Sequence, residues 1–550
     1  MTAESNFQEG LAYLKMRDHL AQAEACFRKG LAAEPGHAGC LLQLGITLRV
    51  LGRVKEATRV LDQARSAAPA EPLVLINQAR VLLAQRQPAE ALARYDEALA
   101  LAPGHLEARI RRIAALDDLH AWAQALAACE ALIAELPPAE AELHELPIRR
   151  DDYRSRVALL AESGADPAWP AQERALALYG RANQLVLEDR IDEAVQAYGC
   201  AARLEPDYAD PRFPIGATVA TQAARHPDGA YPSCRWIEEG LHFHDFRLGF
   251  CCTAHHGSKG WTAVGPFHGG PLPIDFLLAR RIQLIRQNQA EVDNECRGCH
   301  ELERRPWPTG PGLVGQMILN NYSICNMKCT YCSLAIAHFE MLPYYYLAEP
   351  AIDSLIANGW LAPGAQLTWG GGEPGVSREF QAITSKLLAT GCRFAINTNA
   401  TRVVPAIEDA LRQGRCDLMI SVDSGTPETF YRFKFNSDHA VQIDGRPAFN
   451  SVWETIARYA GLSQDSVTVK YIFMPTNIEE ADIRGFVDRC LAHGVGRVML
   501  TPEFSDVSAG AVAPEVWTAI ARTRVLAEAH GLTVLFSPLD PSNPSMPAGL

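Results

Sequence analysis

Apolar residues recur along the first two hundred positions with the spacing of amphipathic helices, and prolines close the pattern at a fixed interval. Pro35, Pro69, Pro103 and Pro137 stand 34 residues apart, each ending an Ala-rich helical stretch. A further copy closes at Pro206, 69 residues after Pro137, which leaves room for one degenerate unit around 139–170. That unit carries Arg149, Arg150, Asp151 and Asp152, and a bent junction is expected there. Residues 211–310 lose the period and turn rich in aromatic, Gly, Pro, His and Cys residues. From about Gly312, short apolar runs alternate with stretches of helical length. Strands are predicted at 314–319, 366–369, 393–397, 417–422, 467–473 and 495–500, with helices such as 376–391 and 403–414 between them. This order predicts a parallel strand-helix array. Within it, 436–450 reads as a small hairpin around Asp444-Gly445, a candidate substrate lid. The Pro- and Ser-rich tail 537–550 is expected to be disordered.

The 34-residue period resembles the tetratricopeptide repeat (TPR). In the second copy Leu41, Leu44, Gly45, Leu48, Gly52, Ala57, Leu61, Ala64 and Pro69 fall where that family places its packing residues, and Ala23, Ala91, Ala125 and Ala194 repeat the position of Ala57. The resemblance implies an all-α solenoid over 1–210 whose groove binds a peptide or protein partner. A spacer or a support for oligomers is the plainer alternative.

The chemistry concentrates in Cys325-Asn-Met-Lys-Cys329-Thr-Tyr-Cys332. Three thiolates at this spacing can hold three corners of a four-iron cluster and leave the fourth iron open. One strand later comes Gly370-Gly371-Gly372-Glu373-Pro374, where glycines let a ligand approach bare backbone. Together the two motifs resemble the radical S-adenosylmethionine (radical SAM) superfamily. The resemblance implies a partial (β/α)6 barrel over 311–536, a site-differentiated 4Fe-4S cluster on Cys325, Cys329 and Cys332, and S-adenosyl-L-methionine as cofactor. It further implies Tyr331 against the adenine and the turn Gly370, Gly371, Gly372 and Glu373 around the methionine amino group. Ser421 and Asp423 in Ser421-Val-Asp423-Ser-Gly425 are carried over as contacts to the ribose or carboxylate, with a loop cap as the bland reading. Asn397, Asn399, Lys470, Thr501 and Glu503 are further strand-end candidates, Asn399 being assigned to the cofactor. A zinc knuckle would want a fourth ligand close by, and His338 is six residues on.

Five more cysteines, Cys234, Cys251, Cys252, Cys296 and Cys299, gather in 211–310. Residues 240–252 read as a glycine-led hairpin entering the Cys251-Cys252 corner, and 279–290 as a helix before Cys296-x2-Cys299. A small Cys-rich α+β segment is expected, with four of the five cysteines holding an auxiliary 4Fe-4S cluster or, alternatively, zinc. It resembles the SPASM and twitch modules, although those follow the radical domain and this segment precedes it. His242, His244, His255, His256 and His300 are read as groups outside the ligand set.

At 550 residues, two to four domains are expected. Fifteen cysteines fall well below a disulfide scaffold, and their clustering suits cofactor ligation in a reducing compartment. The net charge of -13 and the lack of a dense basic run argue against nucleic-acid binding. The N-terminus has no signal-peptide pattern and no apolar stretch spans a bilayer, so a cytoplasmic protein is expected. The reading is a radical SAM enzyme acting oxidatively on a peptide, protein or carrier-bound substrate, fed by a low-potential donor such as flavodoxin or ferredoxin. Modification of a sugar or small metabolite is the alternative, and a non-catalytic repeat scaffold with a structural metal site is a third.

Overall fold

The computed structural model describes residues 2–14, 20–51, 53–205, 229–244, 246–251, 262–307, 314–332, 346–503, 506–507 and 510–536. Cys252, His255, His256 and the tail 537–550 lie outside the described residues. Two compact units divide the chain near Arg181.

In the first unit the 34-residue period resolves into helix pairs: Ala3–Leu14 with Leu20–Ala33, Ala38–Val50 with Val54–Ala67, Pro72–Ala84 with Pro88–Leu101, and Leu106–Asp118 with Trp122–Glu135. The small residues sit where two helices touch. Ala23, Ala57, Ala91 and Ala125 are wholly buried, and a Cβ on Gly45 would stand 2.6 Å from the Leu61 side chain. Gly45→Val should therefore destabilise this unit by about 1–3 kcal/mol through overpacking, seen as a lowered thermal midpoint with unchanged iron binding. In the degenerate unit a six-residue helix, Pro138–Leu143, meets the 17-residue helix Leu146–Glu162. The bend between them falls at Glu145, whose φ is 56°.

The second unit is built on one ten-stranded sheet. Its strands are β1 (Ala230–Ser233), β2 (Gly240–His244), β3 (Arg247–Gly249), β4 (Ala263–Pro266), β5 (Glu303–Pro306), β6 (Val314–Leu319), β7 (Leu361–Trp369), β8 (Arg393–Thr398), β9 (Cys416–Ser421), β10 (Gln442–Ile443), β11 (Arg446–Pro447), β12 (Val467–Phe473), β13 (Arg497–Pro502) and β14 (Thr533–Phe536). The large sheet runs β14-β13-β12-β9-β8-β7-β6-β2-β3-β4, while β1 pairs with β5 and β10 with β11. From β14 to β2 every neighbouring pair is parallel, and only β2-β3 and β3-β4 are antiparallel. The central strands are rich in buried apolar residues, and β6 is buried at all six positions.

The six predicted strands are present, in predicted order, as β6, β7, β8, β9, β12 and β13. The predicted hairpin 240–252 is present as β2 and β3. Its first strand also pairs in parallel with β6, so the Cys-rich segment continues the barrel's sheet rather than folding beside it. The repeat helix Ile191–Leu204 packs on Ile274–Gln289, with Tyr198 stacked 5.6 Å from Phe276 and Gln283 donating to Asp192 at 2.8 Å. Asp444-Gly445 turns the β10-β11 hairpin with both residues at positive φ, and Arg402 forms a bidentate pair with Asp444. No helix of the described residues is long and apolar enough to cross a membrane.

Candidate active site

Parallel pairing aligns the C-terminal ends of β6 to β9, because Leu319 lies beside Trp369, Trp369 beside Ile396, and Ile396 beside Leu418. The residues that follow those ends converge. After β6 comes Asn320 and the cysteine loop, after β7 the glycine turn, after β8 Asn399, and after β9 Asp423.

The glycine turn is seated against the backbone that leads to the cysteines. A Cβ on Gly370 would meet Asn320 Oδ1 at 2.1 Å, one on Gly371 the Tyr322 carbonyl at 2.5 Å, and one on Gly372 the Ile324 carbonyl at 2.0 Å. Glu373 N–H donates to that Ile324 carbonyl at 2.8 Å. The three glycines thus first make room for the chain's own loop.

The Glu373 carboxylate is buried and occupied. It accepts from Thr398 Oγ1 and the N–H of Asn399, both at 2.7 Å, and from the N–H of Gly375 at 2.9 Å. Burial pushes its carboxyl above the ordinary range, and those donors pull the other way. Glu373 therefore ties the end of β7 to the end of β8. Asn399 continues the tie: its Nδ2 donates to Asn326 Oδ1 at 2.7 Å, and Asn326 Nδ2 donates to Thr401 Oγ1 at 2.8 Å. Asn326 lies inside the cysteine motif, so the loop is pinned from β8.

A second clamp comes from the helix Pro427–Phe435, whose last carbonyls need partners. Phe433 and Lys434 carbonyls accept from the N–H groups of Thr330 and Lys328 in the loop, at 2.9 and 2.8 Å. The Lys434 side chain turns inward and pairs with Asp423, the two being 1% and 0% exposed. Tyr331 donates its hydroxyl proton to the same carboxylate, and Lys434 Nζ also donates to the Tyr331 oxygen at 2.8 Å. Asp423 sits at φ 60°, an uncommon backbone for a residue with a side chain, held by Ile472 N–H on Oδ1 and by Asn477 Nδ2 on its carbonyl. Burial alone would lower the Lys434 ammonium. Asp423 and the Cys329 and Cys325 thiols together hold it above the usual lysine value.

Of the other strand-end candidates, Lys470 faces this centre: its charge is felt by Asp423, Lys434 and Cys329, although burial lowers its ammonium. Ser421 stands beside Lys470 in register. Asn397 is exposed, and the Thr501 hydroxyl donates to the Pro502 carbonyl at 2.9 Å. Asn326, Thr401 and Lys434 belong to the site and carry no motif signal of their own.

The donor set fits a cluster. The Cys325 thiol is pushed up to about 11, first by burial and then by Glu373, Cys329 and Cys332, so bare thiolates are disfavoured there. Lys434 counters this at Cys329. A cationic cluster core held by Cys325, Cys329 and Cys332 would relieve that crowding, the three thiols giving up their protons on binding.

Four of the remaining cysteines lie near enough to influence one another's charge. Cys234 opens the helix Arg235–Glu239 after β1, Cys251 follows β3, and Cys296 and Cys299 lie in the turn before β5. The β1-β5 ladder carries the first and last of these segments side by side. Burial pushes Cys234 up to about 11 and Cys296 up to about 12, and each is raised further by Cys251 and Cys299. Cys299 N–H donates to the Cys296 carbonyl at 3.0 Å. His242 is fully buried behind Cys251, with Nδ1 3.1 Å from its carbonyl oxygen and Nε2 3.2 Å from Asn320 Nδ2. Among the described residues, no three His, Cys, Asp or Glu side chains converge tightly enough for a single metal ion.

Residues 320–487 match the family model of the Radical SAM superfamily, so this stretch carries a radical SAM domain. Over 163 residues it is 26% identical to the GTP 3',8-cyclase of Mannheimia succiniciproducens, a match covering 29% of this chain and 45% of that protein. The chain spans less than half the length of this curated relative. Among solved structures it is similar to Streptococcus suis SuiB bound to S-adenosylmethionine, at 11% identity over 47% of this chain and 56% of that one, with a TM-score of 0.31. A tetratricopeptide repeat protein from Parabacteroides merdae shares 19% identity over 37% of this chain and 85% of its own, with a TM-score of 0.26.

Proposed function

We propose that this protein uses a 5'-deoxyadenosyl radical to take hydrogen from a peptide, protein or carrier-bound substrate, in an oxidative modification such as crosslink formation. The observation that carries the reading is the cysteine loop at the end of β6, pinned by Asn399 and Thr401 on one side and by the carbonyls of Phe433 and Lys434 on the other. When bound there, the 4Fe-4S cluster and S-adenosyl-L-methionine supply the radical. Cys325, Cys329 and Cys332 hold the cluster, the Gly370–Glu373 turn offers backbone to the methionine head, and Lys470 and Ser421 face the space between them. Cys234, Cys251, Cys296 and Cys299 hold a second cluster, which would let the enzyme take up or pass an electron during oxidation. A flavodoxin- or ferredoxin-like donor would feed the first. The helical repeats support a large substrate, because stacked repeats present extended binding surfaces.

Anaerobic reconstitution with iron and sulfide counting tests the two-centre assignment. About eight irons per chain are expected, and Cys296→Ala should remove about half of them while the first cluster remains. About four irons with one zinc would remove the second cluster from the account and leave the first.

A further inference from the structure

His242 belongs to no motif, yet it joins two parts of the second unit that stand far apart in sequence. Its strand, β2, lies between β3 and β6 in the large sheet. The chain leaving β3 reaches Cys251 two residues on, and the chain leaving β6 passes at once into Asn320 and the cysteine loop. The His242 ring is fully buried and touches both. Its Nδ1 is 3.1 Å from the Cys251 carbonyl oxygen, and its Nε2 is 3.2 Å from Asn320 Nδ2. Packing alone asks only for a ring of this size, whereas two directional contacts on opposite nitrogens ask for a donor and an acceptor.

Those contacts fix the direction of each hydrogen bond. A carbonyl oxygen only accepts, so Nδ1 carries the hydrogen and donates it to Cys251. In the neutral ring Nε2 is then the acceptor, and it takes a hydrogen from the Asn320 amide nitrogen. Asn320 Oδ1 is thereby turned toward the glycine turn. It is the atom that a Cβ on Gly370 would meet at 2.1 Å, and it is buried with no hydrogen-bond partner among the described residues. The backbone holds the same corner: Asn320 N–H donates to the Phe243 carbonyl at 2.7 Å, and Gly370 N–H to the Leu319 carbonyl at 3.0 Å. The far end is anchored as well, because Cys251 N–H donates at 3.2 Å to Oγ1 of the buried Thr262. The first glycine of the turn thus rests on an amide whose orientation His242 sets.

We infer that His242 is a positioning residue for the cofactor turn, orienting Asn320 so that the backbone of Gly370–Glu373 is held in the conformation that receives the methionine end of S-adenosyl-L-methionine. The inference rests on the proposed function, in which that turn takes the cofactor. It also gives Cys251, one of the second set of cysteines, a hydrogen-bonded path to the turn. His242 itself touches no part of the cofactor and acts only through Asn320.

Anaerobic equilibrium dialysis of labelled S-adenosyl-L-methionine against the reconstituted full-length protein tests it, with two variants that separate hydrogen bonding from bulk. His242→Phe keeps a ring and loses both polar atoms, whereas His242→Gln loses the ring and keeps a donor beside an acceptor. His242→Phe should weaken cofactor binding about tenfold, as loss of a supporting partner does at metal sites. His242→Gln should recover most of that loss, and iron content should match wild type in both. Equal binding by wild type and His242→Phe would overturn the inference, as would tighter binding by His242→Phe than by His242→Gln. Loss of iron from His242→Phe in proportion to its loss of binding would also overturn it, by reducing the residue to a structural role. Iron-loaded wild-type protein that takes up no S-adenosyl-L-methionine would overturn the proposed function together with this inference, so the two failures are told apart by the wild-type arm.

Discussion

Replacing Cys329 with alanine is expected to abolish 5'-deoxyadenosine formation and to remove about four irons per chain, with little change in the fold of the apo-protein. Cys329 is the thiol that Lys434, Asp423 and Tyr331 surround: burial raises it, and Lys434 and Tyr331 offset part of that. Its neighbours cannot replace it. Cys325 and Cys332 would each hold another iron, and the backbone on both sides of Cys329 is fixed by the Lys328 and Thr330 hydrogen bonds. Loss of a supporting partner typically costs 10–100-fold in metal affinity or activity, and loss of a ligand should exceed that. Cys329→Ser should fail as well, because a hard oxygen donor poorly replaces a soft thiolate on iron. Iron counting and product detection on the same preparation check both halves. Retention of half or more of the wild-type product rate in Cys329→Ala would remove this residue from the ligand set.

The second large effect is expected at Lys434, which belongs to no motif. Lys434→Met leaves the Asp423 carboxylate buried at the end of β9, held among the described residues by hydrogen bonds from Tyr331 and the Ile472 N–H, with Lys470 as the remaining nearby cation. Breaking a buried pair on one side costs about 3–5 kcal/mol, mostly from the charge left behind. The thermal midpoint should fall accordingly, and activity should fall further as the loop loses its cation. Lys434→Met combined with Asp423→Asn removes both charges and should recover most of the stability while activity stays low. Asn is chosen because it tolerates the positive φ at this position. A single variant as stable as wild type would contradict the pairing. The pH dependence has a definite sign: the folded-state value of Lys434 is raised, so its contribution is full below the ordinary lysine value near 10.4 and is lost only as pH climbs through the higher folded value. Stability from this pair should be flat across neutral pH.

The parts of the fold legible in the sequence were those with a short period. The 34-residue interval marked the helix pairs, because each repeat buries the same small residues, and the alternation of apolar runs with helical stretches marked the six barrel strands. What escaped depended on distant partners. β14 is four residues long and gains its identity from pairing with β13. The parallel pairing of β2 with β6 joins residues more than seventy positions apart, so the Cys-rich hairpin could be read while its place in the main sheet could not. The same division holds at the site. Cys325, Cys329 and Cys332 are legible from spacing, as are the glycines, although the structure gives Gly370, Gly371 and Gly372 a first task of clearing the chain's own backbone. Lys434 is invisible in the sequence because its burial follows from how the end of Pro427–Phe435 docks on the loop. Asn326 was hidden inside the motif as a spacer, yet its side chain links the loop to Asn399 and Thr401.

The central claim is that the cysteine loop, as the barrel holds it, supports radical cleavage of S-adenosyl-L-methionine. Its most direct test is quantification of 5'-deoxyadenosine by liquid chromatography and mass spectrometry, after anaerobic incubation of the reconstituted protein with S-adenosyl-L-methionine and dithionite. Product should accumulate with wild-type protein and be absent when Cys325, Cys329 and Cys332 are all alanine. No product from iron-loaded wild-type protein, or equal product from the triple variant, would contradict it.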